Sequence, residues 1–195
     1  MTLRNPKWRS LAVVLCLALS PAAAHAQSAE FMGTLERYSD LYFEGRYQKA
    51  IPFAEKALAL GEREFGRDDP NTAALLNYLA VLYRAQGRYA EAELLYQRSL
   101  AIREKALGPE HADVATGLNN LAWLYEAQGR YAEAEPLYQR SLAIYEKALG
   151  PEHPNVATSL ENYAALLREV GREAEAAETE ARAEAIRAKR VEENP

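Results

Sequence analysis

Two histidines, His111 and His153, are the first residues to test for chemistry, because imidazole binds metals and moves protons near neutral pH. They occupy the same place in successive copies of one repeated unit, each just before a helical pattern, and the copy before them holds Asp69 there. Neither has a cysteine or an H-x-x-x-H partner beside it, so they read as residues that start helices and recur because a unit recurs. The one cysteine, Cys16, lies in an apolar run near the N-terminus. No glycine-rich phosphate loop and no G-x-S-x-G elbow occurs. The carboxylates fall mostly on outward helix faces and read as solvated charge. The expectation is a protein that is not an enzyme, with no catalytic residue, no metal and no cofactor.

The elements come next. The chain has 195 residues, 26% of them charged and 49% apolar, which suits one domain of ordinary size. Its first residues run from a basic stretch with Arg4, Lys7 and Arg9 to the apolar Leu11–Leu19, then to Ala24-His25-Ala26. Basic, apolar and A-x-A regions in that order predict a secretory signal over 1–26, cut after Ala26; the alternative is an uncleaved anchor. Nine apolar residues are too few to span a bilayer core, which takes about 20. Cleavage would discard Cys16 and leave 20 basic against 28 acidic residues, a net charge of −8. That charge disfavours nucleic acid and anionic membrane surfaces as partners.

The remainder, 27–195, is one unit written about four times. Gly45-Arg46-Tyr47, Gly87-Arg88-Tyr89, Gly129-Arg130-Tyr131 and Gly171-Arg172-Glu173 recur with a constant 42-residue period, and residues 87–128 match 129–170 at 30 of 42 positions. Val114, Leu118, Leu121, Ala122, Leu124 and Tyr125 recur at helical spacing. Gly129 breaks that helix, and Tyr131, Ala134, Leu137, Tyr138, Leu142, Tyr145 and Leu149 mark a second one, stopped by Gly150-Pro151. The predicted helix pairs are 29–65, 70–107, 112–149 and 154–192. Alanines at one place per copy (Ala80, Ala122 and Ala164; Ala50, Ala92, Ala134 and Ala176) permit close backbone approach, with tyrosines filling the core beside them. Residues 29–44 form a degenerate first helix, with Tyr38 where later copies have Ala, and the Ala-, Glu- and Arg-rich 172–193 reads as a closing helix. Pro136, in place of Leu94, predicts a mild kink or a later start of its helix.

Units such as EHPNVATSLENYAALL followed by GRYAEAEPLYQRSLAIYEKALGPEH resemble tetratricopeptide repeats, and the 42-residue period with its HPxVATxLxNxA opening is similar to the kinesin-light-chain type. The resemblance implies an all-α, right-handed solenoid of antiparallel helix pairs. It further implies a concave groove, lined by the first helix of each pair, that takes an extended peptide or partner helix. Carried over by register, the groove residues are Asn77 and Arg84 from one copy, Asn119, Asn120, Trp123 and Glu126 from the next, and Asn162 and Arg168 from the third. Asn120 and Asn162 match the family asparagine that holds a ligand backbone; the earlier copy has Tyr78 there. An amide carries both donor and acceptor and can serve a peptide backbone of any sequence, or it can tie neighbouring helices together. Trp123 would be an anchor contact. Asn77, Val81, Asn119, Trp123, Glu161 and Ala165, which match the positions of a dicarboxylate clamp, include no cation.

The expected function is a protein–protein interaction scaffold of the bacterial cell envelope, periplasmic or secreted. Its partner would be a protein or peptide, with no membrane span in the mature chain. The alternative is a structural module that assembles into homo-oligomers through its repeat ends.

Overall fold

A computed structural model of the chain describes residues 29–193; the expected signal, residues 1–26, and Cys16 lie outside the described residues. The fold is all-α, with eight helices and no strand among the described residues. They are α1 Ala29–Phe43, α2 Tyr47–Glu64, α3 Pro70–Ala85, α4 Tyr89–Leu107, α5 Ala112–Ala127, α6 Tyr131–Leu149, α7 Pro154–Glu169 and α8 Glu173–Glu193.

The boundaries repeat because the capping residues repeat. After α5, Gly129 takes φ of 72°, the left-handed region glycine occupies without penalty, and Arg130 donates its backbone N–H back to Tyr125 at 2.8 Å. Arg46 to Leu41, Arg88 to Tyr83 and Arg172 to Leu167 make the same bond. The arginine then turns to the second helix. Arg88 pairs with Glu91 and lies 3.8 Å over the Tyr83 ring; Arg130 pairs with Glu133 at 2.7 Å and lies 3.9 Å over Tyr125. First helices open on a side-chain cap. Asp69 accepts from Asn71 N–H at 2.8 Å, and His111 and His153 accept through Nδ1 from Asp113 and Asn155, each at 3.1 Å. The two histidines therefore act as helix caps, with Nδ1 facing the backbone N–H two residues on. No group of three or more His, Cys, Asp or Glu residues able to hold a metal occurs among the described residues. Pro136 does not delay its helix: α6 begins at Tyr131, in register with Tyr89 of α4. Pro136 and Pro52 are both exposed, where water can serve the carbonyl that each proline leaves without a donor.

Two compact units divide the chain, one up to Ile102 and the other from Arg103 onward. In the first, Phe31, Leu35, Ala57, Leu60 and Leu75 form a core, with Phe31 edge-on to Phe65 at 5.5 Å. A Cβ on Gly61 of α2 would collide with the end of the Leu75 side chain, so glycine leaves room for that buried leucine of α3. A second cluster joins Ala73, Leu76 and Ile102. Ser99 donates to the Ala73 carbonyl at 2.7 Å, and Arg98 pairs with Glu62 at 2.6 Å.

The second unit repeats these devices in register. Ala115, Ala122, Ala134, Ala157, Ala164, Ala176 and Ala183 are all buried, beside Leu118, Leu124, Tyr138, Leu160 and Leu166. Ser141 donates to Ala115 at 2.8 Å. Along the second helices Arg140 pairs with Glu104 at 2.7 Å and Arg182 with Glu146 at 2.6 Å, both in the register of Arg98 and Glu62. Lys147 pairs with Glu110 at 2.7 Å, and Lys189 with Glu152 in the same register. Glu135 of α6 accepts from Arg172 at 2.5 Å and from Tyr163 at 2.9 Å. Glu161 of α7 pairs with Arg187 of α8. Exposed pairs of this kind contribute roughly 0.2–1 kcal/mol each. The tyrosine rungs divide: Tyr83, Tyr96, Tyr125 and Tyr138 are core, whereas Tyr47, Tyr89 and Tyr131 at the helix starts are half-buried.

Replacing His153 with Ala removes a cap and should lower unfolding stability in urea by about 1 kcal/mol, while His153→Asp, restoring the Asp69 arrangement, should not. The Arg172 hydrogen bond holds the Glu135 carboxyl below the usual 4.5, and the Arg187 bond does so for Glu161. Because both are depressed in the folded state, their contribution is complete above about pH 5 and is lost as pH falls through the folded values. Urea midpoints measured from pH 7 to pH 3 should therefore be flat at first and then fall, with a shallower fall in Glu161→Gln.

Candidate functional site

The candidate residues of the second unit sit on α5 and α7, the first helices of successive pairs, which touch each other. Helical spacing puts Asn119, Asn120, Trp123 and Glu126 on one ridge of α5, while Val114, Leu118, Leu121 and Leu124 turn inward and are buried. On α7 the same register holds Glu161, Asn162, Ala165 and Arg168. Asn119 is nearly buried, Asn120 and Asn162 are half-buried, and Trp123 is 37% exposed, one of the few large apolar side chains that reach solvent.

Two of the amides are brought together. Asn162 Nδ2 donates to Asn119 Oδ1 at 3.4 Å, a long bond from α7 to α5. It uses one of the two Asn162 donors, so a carbonyl oxygen and an N–H of that amide remain for another group. The charges of the face are answered within the chain. Glu126 accepts from the Tyr138 hydroxyl at 2.7 Å, Arg168 pairs with Glu180 of α8, and Glu161 pairs with Arg187. Asn120, Trp123 and Glu126 have further contacts within the chain. The face therefore offers amide groups and an indole, with the small exposed Ala165 in the Trp123 register. That set can hydrogen-bond a backbone and pack on an apolar side chain; it holds no nucleophile with an adjacent base.

In the first unit, Asn77 and Arg84 lie on α3, Asn77 nearly buried and Arg84 half-buried. Tyr78, in the Asn120 and Asn162 register, is stacked on Tyr38 with ring centroids 5.6 Å apart. Tyr38 in turn lies 5.9 Å from Tyr42, and Tyr42 lies 5.5 Å from Tyr47. Here an aromatic cluster replaces the amides. It carries a signal that was available in advance: Tyr78 occupies a ligand-facing register, and Tyr38 stands where each later copy has alanine.

Known structures of similar fold agree with this architecture. A crystal structure of nearly identical, kinesin-light-chain TPR-like repeats from Podosopora anserina, in a single-substitution form, is 25% identical, covers 96% of this chain and 89% of its own, and has a TM-score of 0.67. BtubC (BKLC) from P. vanneervenii is 22% identical over 97% of this chain and 74% of its own, with a TM-score of 0.70. The apo form of RapI is 14% identical over 96% and 77%, with a TM-score of 0.57. The last two, more distant in sequence, speak to the fold alone. No curated protein matches the sequence. The tetratricopeptide repeat profile matches residues 34–105, 79–147 and 113–189, overlapping spans that take in six of the eight helices whole and most of α1 and α8. With its 42-residue period, paired helices and matching profile, the chain belongs to the tetratricopeptide repeat family.

Proposed function

We propose that the protein is a non-catalytic interaction scaffold that binds an extended peptide segment of a partner protein across α5 and α7. The observation that carries this reading is Trp123: a 37% exposed indole on a first helix, beside half-buried amides, where packing alone accepts alanine in the next copy. Burying such a ring against an apolar side chain supplies affinity, and the Asn120 and Asn162 amides hydrogen-bond the backbone that carries it. The partner segment is extended and carries one large apolar residue as its anchor. The repeat fold is of the kind used for such scaffolding, and none of the described helices is long and apolar enough to cross a membrane. The proposed place of action is the bacterial envelope, on the layout of residues 1–26.

Fluorescently tagged peptides selected from a displayed library against the protein should bind with an anisotropy change. Asn120→Ala combined with Trp123→Ala should weaken that binding tenfold or more while helical circular dichroism is retained; unchanged binding would move the site off this face. Mass analysis of the protein isolated from an envelope fraction should give an N-terminus at Gln27, and an intact Met1 would show that the segment is retained.

A further inference from the structure

The pair α7 and α8 closes by different means from the pair before it. Register sets Tyr138, Ser141 and Tyr145 of α6 level with Glu180, Ala183 and Arg187 of α8. In the earlier pair all three residues are buried, and both phenols reach across to α5: Tyr138 donates to Glu126 at 2.7 Å, and Tyr145 shares a 2.8 Å bond with Thr116. In the later pair two ion pairs stand in their place. Arg168 of α7 holds Glu180, and Glu161 of α7 holds Arg187. Glu161 and Arg168 lie two turns apart on one face of α7, as Glu180 and Arg187 do on α8. Between them come Ala164 and Ala183, both buried. The contact is therefore two charge pairs astride one alanine on each helix.

That arrangement removes little apolar surface from water, because an alanine buries far less than a tyrosine. Among the described residues α8 buries Ala176, Ala183 and Ile186, whereas α6 buries Ala134, Tyr138, Ser141, Ile144 and Tyr145. The four charged side chains are each at least 41% exposed, so dissolved ions reach and screen them; buried contacts such as those of Tyr138 and Tyr145 are screened much less. The remaining pairs of the two helices do not distinguish them. Arg182 with Glu146 and Lys189 with Glu152, on α8, have counterparts in Arg140 with Glu104 and Lys147 with Glu110, on α6.

We propose that α8 is an ionic latch: it docks on α7 at low ionic strength through Arg168–Glu180 and Glu161–Arg187, and raised salt frees it while α5 and α6 stay paired. Release uncovers the alanine rung of α7 at Ala164. The lever is specific to this helix, because sodium chloride weakens exposed charge pairs and does not weaken apolar burial. The latch does not depend on what α5 and α7 bind.

Amide hydrogen exchange, followed by NMR on the whole protein at neutral pH in about 20 mM and about 1 M sodium chloride, tests the latch. Amides of α8 should exchange roughly three- to tenfold faster at the higher salt, the loss of two exposed pairs, while those of α6 stay level or slow. Arg187→Gln should bring faster exchange of α8 to low salt and leave a smaller salt response. Combining Glu161→Arg with Arg187→Glu restores the pair in reverse and should recover the low-salt protection. Arg168→Glu with Glu180→Tyr, which writes the Glu126–Tyr138 contact into the later pair, should reduce the salt response of α8 toward that of α6. Equal exchange of α8 in both salts, acceleration of α6 in step with α8, or an undiminished salt response in Arg187→Gln would overturn the proposal.

Discussion

The structure depends on how closely paired helices approach at a few one-carbon side chains. Ala80, Ala122 and Ala164 on first helices, and Ala50, Ala92, Ala134 and Ala176 on second helices, are all buried. At the next rung, where α2 and α8 carry Ala57 and Ala183, α4 and α6 carry Ser99 and Ser141, whose hydroxyls return a hydrogen bond to the facing backbone. A longer side chain at any of these places would hold the helices apart and open voids along the whole contact, because cores are packed nearly as densely as organic crystals. The large residues, among them Tyr96, Tyr138, Leu118 and Leu166, fill the spaces that the close approach defines. Tyr38 is the exception, and it shows the rule from the other side. Without alanine at that register, α1 becomes part of an aromatic stack rather than another copy of the same contact.

Given that approach, the loops need only be short and identical. Glycine in the left-handed region and an arginine whose N–H closes the preceding helix serve every pair, and an aspartate or histidine cap opens α3, α5 and α7. The ion pairs along the second helices follow the same register and remain in reach of solvent, so they bias alignment more than they add stability. Among the positions that differ between copies are those of the outward ridge of the first helix. That ridge carries the amides and the indole of the second unit.

Most of the fold was legible in the sequence because its signals are local. The glycine and proline spacing marks the helix ends, and the 42-residue recurrence multiplies every observation. The candidate site was legible as a list of positions and less so as chemistry. Register alone puts Asn119 and Asn162 on neighbouring first helices, but whether one amide reaches the other depends on side-chain length and helix separation. Likewise nothing in the spacing says that Arg168 turns to Glu180 or that Glu126 receives a phenol, since those partners lie on second helices whose rotation is set by the core. Pro136 went the other way. The residue type promises disruption, yet an exposed position near the start of α6 absorbs it.

Residues 87–128 and 129–170, which agree at 30 of 42 positions, offer neighbouring helices similar apolar stripes and so wrong partners while the chain is folding. The contact between first and second helix differs from one pair to the next, Tyr138 with Glu126 and Glu180 with Arg168, and that difference penalises such an exchange. Docking α8 on α5 would set Glu180 against Glu126, two like charges; docking α6 on α7 would set Tyr138 against Arg168 and strand the phenol without its acceptor. The same few residues that distinguish the copies thus help each helix find the neighbour it follows in the chain.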